Sequence, residues 1–149
     1  MDYSSLTKQI VSVIENEKDF IANTSNISAM LYDAIEDINW LGFYFIKDGG
    51  LVLGPFQGKV ACTRINIGKG VCGTCVSSKK TQLIDDVHKF PGHIACDSAS
   101  NSELVIPIII KGEVKAVLDI DSTTFSRFSE KDQVGLESLI DEVKHFLWN

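Results

Sequence analysis

Two stretches in the C-terminal half alternate so regularly that few pairings of them keep their apolar residues together. Leu104, Ile106, Ile108 and Ile110 alternate with Glu103, Val105, Pro107 and Ile109; Val114, Ala116, Leu118 and Ile120 alternate with Lys115, Val117, Asp119 and Asp121. A period of two marks strands, and a one-residue slip would turn every apolar side chain to the wrong face. A two-residue connection, Lys111-Gly112, sets Leu104 against Asp119 and mixes the faces. A three-residue connection, Lys111-Gly112-Glu113, pairs Leu104 with Ile120, Ile106 with Leu118 and Ile108 with Ala116, and is the register expected. It sets Glu103 opposite Asp121 with Asp119 next along, so three carboxylates meet at one end of one face. The expectation assumes an unbulged hairpin, although Pro107 is compatible with a bulge or an edge position.

A solvated outer face is the ordinary state of an antiparallel hairpin. Here Val105, Pro107, Ile109 and Val117 share that face with the acids. A face greasy along its length and acidic at one end suits a covered pocket better than an open surface. Crowded carboxylates cannot all ionise cheaply, so at least one should keep its proton to a higher pH. Such a site offers anions for a ligand ammonium and an acid for proton donation.

The rest of the chain frames this hairpin. Ile27, Met30, Leu31, Ala34, Ile35 and Ile38 form a helical stripe, and an earlier helix is expected over about 5–21. Ser129 with Asp132 predicts a capping box, followed by a buried stripe of Leu136, Leu139, Ile140, Val143 and Leu147. Strands are expected over 40–46, from Leu51, over 62–67 and over 81–84, with a turn at Asp48-Gly49-Gly50 and a short helix over 71–77. Helices at both ends of a hairpin-rich middle predict an α+β fold with a mainly antiparallel sheet. The 149 residues, 44% of them hydrophobic, suit a single domain over 1–149 with one real core.

A net charge of -6 argues against a nucleic-acid surface, which needs clustered Lys and Arg. No signal-peptide pattern opens the chain. The longest apolar run, residues 104–110, contains Pro107 and is too short to cross a membrane. A cytoplasmic protein with no membrane role is therefore expected.

Four cysteines, Cys62, Cys72, Cys75 and Cys96, fall in one central stretch. In a reducing compartment they are buried hydrophobes, metal ligands or reactive thiols. Cys72, Cys75, His88 and His93 satisfy the spacing of a zinc finger, but Lys89-Phe90-Pro91-Gly92 breaks the helix on which its histidines would lie. A structural zinc is accordingly not expected. Cys72-Gly73-Thr74-Cys75 matches a thioredoxin-like spacing without the parallel βαβ context, and Cys75 reads as a buried small hydrophobe. Residues 86–101 form a long loop with His88, His93 and Cys96, and loops of that length in compact domains are commonly functional.

Longer motifs then carry a resemblance. Leu53-Gly54-Pro55-Phe56-Gln57-Gly58, Ala61-Cys62, Gly68-Lys69-Gly70-Val71-Cys72-Gly73-Thr74, Asp86-Val87-His88, Gly92-His93-Ile94-Ala95-Cys96-Asp97, Ser102-Glu103 and Leu118-Asp119-Ile120-Asp121-Ser122 resemble the free methionine-(R)-sulfoxide reductases. The resemblance implies a GAF-like fold, with a six-stranded antiparallel sheet flanked by helices. It implies Cys96 as the nucleophile that attacks sulfur, Cys62 as the resolving thiol and Cys72 as an accessory thiol. It places Glu103, Asp119 and Asp121 at acidic substrate-binding positions, and Trp40 and Tyr44 at aromatic ones. Free methionine sulfoxide is then the substrate, thioredoxin the reductant, and no metal, flavin or nicotinamide cofactor is needed. A homodimer is suggested by family analogy alone. Cys75 departs from the family, which usually has a small non-thiol residue there, and leaves open whether it pairs with Cys72. The alternative function is a GAF-type sensor that binds a small ligand without chemistry.

Overall fold

The structure, a computed structural model, describes residues 1–93 and 99–148. Helix α1 (Tyr3–Ile14) is capped by the Asp2 carboxylate, which accepts from Ser5 N at 2.9 Å, and buries Leu6, Ile10 and Ile14. It ends well before the expected boundary near residue 21. Glu17 turns the chain by accepting from Lys18 N and Asp19 N at 2.9 Å each, and Asp19 then caps α2 (Phe20–Ala34). Asn23 locks this corner by donating to the Glu17 carbonyl at 2.8 Å.

Strands β1 (Trp40–Lys47) and β2 (Gly50–Gly58) form the first hairpin, joined through Asp48 and Gly49, both at positive φ. The expected strand over 62–67 shrinks to β3 (Arg64–Ile65), because only Leu51 and Val52 of β2 offer it partners. Helix α3 (Gly70–Ser78), β4 (Gln82–Ile84) and a single 3-10 turn (Val87–Lys89) follow. The ends of the long loop are tied where Val87 N donates to the Asn101 carbonyl at 2.9 Å. Strands β5 (Ser102–Ile110) and β6 (Glu113–Ser122) make the second hairpin, and α4 (Glu130–Leu147) closes the chain with the expected Ser129–Asp132 capping box.

The strands form one six-stranded antiparallel sheet in the order β3-β2-β1-β6-β5-β4. The α+β, GAF-like architecture is as expected. So is the pairing of Glu103 with Asp121, Leu104 with Ile120, Ile106 with Leu118 and Ile108 with Ala116. The hairpin reaches this register by another route. Ile110 pairs with Glu113 across a two-residue turn, and the ladder slips between Ile108 and Ile109, leaving Lys115 as an extra residue on β6. Lys111 and Gly112 sit at φ 51 and 80, as a type I′ turn requires, and the bulge at Lys115 restores the face alternation. Pro107 lies beyond the reach of β4, at an open stretch of β5 where its missing N–H costs no ladder bond.

The two faces of the sheet bury different things. Leu41, Phe43, Phe45, Leu104, Ile106, Ile108, Leu118 and Ile120 meet α1, α2 and α4 in the main core. Each such side chain contributes about 1.5–3 kcal/mol on full burial. Trp40, Tyr44, Val105 and Val117 face the other way, packing with Val71, Cys72, Cys75 and Val76 of α3. No described helix is long and apolar enough to cross a membrane.

Candidate active site

Three adjacent strands deliver the site residues to that second face. Asp121 of β6 lies between Trp40 of β1 and Glu103 of β5, and Asp119 lies between Gly42 and Val105. Because β6 is flanked on both sides, its two acids are walled by side chains from β1 and β5. Helix α3 covers them, and the chain on either side of it supplies the remaining wall. The result is a cavity of about 40 Å³ lined by Trp40, Tyr44, Cys72, Glu103, Asp119 and Asp121, with Lys69, His93 and Ser100 at its border. That space holds a few water molecules as it stands.

Trp40 needs room that two glycines supply. A Cβ at Gly42 would come within 2.3 Å of Phe56 Cβ and 2.9 Å of Trp40 Cη2, and one at Gly58 within 2.6 Å of Trp40 Cδ1. The indole therefore lies flat over the strand, stacked on Phe56 at 5.2 Å and Tyr44 at 5.9 Å between ring centres. Its Nε1 donates to the Lys59 carbonyl at 3.1 Å, and the Tyr44 hydroxyl donates to the Cys62 carbonyl at 2.9 Å.

Two of the acids are almost wholly buried. Glu103 and Asp119 are each 6% exposed, and Asp119 Oδ1 has no hydrogen-bond partner among the described residues. Burial pushes the Glu103 carboxyl well above the usual carboxylate range, and the neighbouring charges of Asp119 and Asp121 push it further. Burial raises Asp119 too, against the opposing hydrogen bonds it makes with Glu103 and Cys72. Two carboxyls that share a site in this way titrate as a unit, and the pair retains a proton at pH values where an exposed acid has lost it.

The thiols divide into distinct environments. Cys62 is half-buried and disulfide-bonded, whereas Cys72 and Cys75 are free and buried. The Cys72 Sγ approaches Glu103 Oε2 at 4.0 Å. Burial, followed by the charges of Asp119 and Glu103, pushes its thiol well above the ordinary value. Cys75 points its sulfur at the Val105 carbonyl, 3.7 Å away, and burial lifts it to about 12. It packs as the small apolar residue expected. Cys96 lies outside the described residues.

The zinc-finger set is not brought together. Cys75 points to Val105, and His88 Nδ1 pairs with Asp86 Oδ1 at 2.9 Å on the exposed side of the loop. Among the described residues, the one group with metal-ligand atoms close together is Cys72, Glu103 and Asp119, all within 4.8 Å. His93 and Ser100 reach the cavity from the 86–101 loop expected to be functional, whereas sequence reasoning gave Lys69 no role at the site. Burial of His93 lowers its pKa and favours the neutral ring.

This sheet, with a helix and loops closed over an acid-lined cavity on one face, is a GAF architecture, and residues 23–147 match the GAF domain family. The free methionine-R-sulfoxide reductase of Escherichia coli is 50% identical over 97% of this chain and 88% of its own. The structure of fRMsr of Staphylococcus aureus in complex with substrate superposes with a TM-score of 0.92 at 48% identity, covering 98% of this chain and 95% of that one. The free methionine-R-sulfoxide reductase of Neisseria meningitidis, also solved with its substrate, gives a TM-score of 0.93 at 40% identity, covering 97% and 87%. The chain belongs to the GAF-domain family and, within it, to the free methionine-R-sulfoxide reductases, which are oxidoreductases.

Proposed function

We propose that this protein reduces free methionine-R-sulfoxide to methionine in the acid-lined cavity, with Cys96 as attacking thiol and Cys62 as resolving thiol. The observation that carries the reading is the shared burial of Glu103 and Asp119 beside Trp40 and Tyr44. A sulfoxide oxygen leaves badly unless protonated, and a carboxyl that keeps its proton at neutral pH is the acid this step needs. Asp121 and the ionised member of the pair then meet the substrate ammonium, and the indole of Trp40 lies against the methyl end.

The thiolate of Cys96 attacks the sulfoxide sulfur as the carboxyl proton passes to oxygen. The resulting hydroxyl then moves from the substrate sulfur to the Cys96 sulfur as the transient S–S bond breaks, so methionine leaves and Cys96 is left as a sulfenic acid. Cys62 condenses with that sulfenic acid, forming a disulfide and releasing water. An external dithiol of the thioredoxin class reopens it by exchange, in a cytoplasmic setting where such dithiols are kept reduced. Support for this pairing comes from Cys62, which is disulfide-bonded while Cys72 and Cys75 carry free thiols. Cys72, held protonated by burial beside two acids, is poorly suited to attack and serves as an accessory thiol.

A thioredoxin-coupled assay on the separated sulfoxide epimers tests the reading. The R epimer should be consumed with loss of two free thiols per single turnover, and Cys96→Ser should abolish consumption. A ligand sensor would bind and lose no thiols, and full activity in Cys96→Ser would sink the assignment.

A further inference from the structure

The polar tips of Trp40 and Tyr44 are engaged on something other than the cavity. Their rings stack on the sheet, both nearly fully buried, but Trp40 Nε1 donates to the Lys59 carbonyl and the Tyr44 hydroxyl to the Cys62 carbonyl. These two carbonyls bound residues 59–62, which belong to no strand or helix. Val60, in the middle of the segment, is 85% exposed, and Ala61 and Cys62 are only partly buried against the second core. The chain is picked up again at Thr63, whose carbonyl accepts from Leu53 N at 3.0 Å. Two donors from one strand thus clasp both ends of the four residues that carry Cys62.

We propose that Tyr44 and Trp40 are positioning residues for the redox chemistry of Cys62, clasping its segment where its sulfur is disulfide-bonded. The inference rests on the reading of Cys62 as the resolving thiol. Cys62 is disulfide-bonded in this structure, so both hydrogen bonds belong to the oxidised arrangement. A contact that is better made in that arrangement than in the dithiol favours the disulfide by its own differential free energy. In the resolving step the Cys62 sulfur attacks the sulfenic sulfur. An S–S bond forms, the S–O bond breaks, and the departing oxygen takes up the thiol proton to leave as water. Reopening consumes two electrons and two protons from the external dithiol. Tyr44 and Trp40 exchange neither; they set how readily the Cys62 sulfur lies within bonding reach. Burial also raises the Tyr44 phenol well above its ordinary value, so its donor proton is retained across the working pH range.

The test equilibrates the full chain in graded mixtures of oxidised and reduced dithiothreitol, with no sulfoxide present, and counts free thiols after alkylation. Tyr44→Phe keeps the ring and deletes the donor. Its disulfide–dithiol equilibrium should move about fivefold toward the dithiol, the scale of one hydrogen bond, or about 20 mV. Trp40→Phe should move the same way by less, since its bond lies three residues from the sulfur, and it decides the matter if Tyr44→Phe does not fold. A purely structural role would lower the melting temperature equally in both redox states and leave the equilibrium in place. No movement in the folded variants, or movement toward the disulfide, overturns the clasp. Because the titration needs no substrate, loss of sulfoxide reduction in the coupled assay would strike the proposed function alone.

Discussion

The two faces of the central hairpin are built from the same residues in strict alternation, and they behave in opposite ways. On the helix side, Leu104, Ile106, Leu118 and Ile120 are buried among apolar neighbours and leave no polar group unsatisfied. On the cavity side, one residue away along each strand, Glu103 and Asp119 are nearly as buried, and Asp119 Oδ1 has no hydrogen-bond partner among the described residues. Burial without a partner is costly for an ionisable group. The comparison teaches that the helix side supplies the stability that lets the cavity side keep its acids in an unfavourable place.

Neighbouring substitutions on opposite faces give the widest split. Asp119→Asn should lower kcat/KM by about 10²–10⁴-fold while leaving stability unchanged or improved. Comparable losses of activity and of folding would erase the distinction between the faces. Leu118→Ala, one residue earlier, should cost about 3 kcal/mol in denaturant unfolding, with kcat/KM of the folded protein held within about twofold.

The smallest expected effect concerns pH. Burial raises the Glu103 and Asp119 carboxyls, so the folded chain holds a proton that the unfolded chain releases. Stability from this source is complete below the unfolded carboxylate pKa and is lost as pH rises through the folded value. Glu103→Gln should therefore be more stable than the wild type at pH 8, by on the order of 1 kcal/mol. Near pH 4 that advantage should be gone. Unfolding titrations at the two pH values check this, and parallel curves for the two proteins would show that the acid cluster carries no proton-linked penalty.

Much of this was legible in residue order, because strict alternation leaves one workable register and a capping box is a local signal. Glu103, Asp119 and Asp121 were brought together by the hairpin pattern alone, and α4 by Ser129 and Asp132. The break between α1 and α2 was not legible. Its cause is a carboxylate turn at Glu17 and a side-chain bond from Asn23, neither of which disturbs hydrophobic periodicity. The strand around Cys62 was overestimated, since β-rich composition does not reveal how few partners an edge offers. Lys69, His93 and Ser100 come to the cavity by tertiary folding, and no spacing rule joins them.

The spare residue at Lys115 has a further meaning for the hairpin. It sits between the tip and the acids, so a change of length at the tip can be taken up there before it travels along β6. Beyond Ala116 no such slack exists. A single residue gained or lost between Ala116 and Asp119 would swing both aspartates into the helix-packed interior and bring Leu118 and Ile120 out beneath α3. The tip is free to drift in length, while the stretch that carries the acids is held to one spacing.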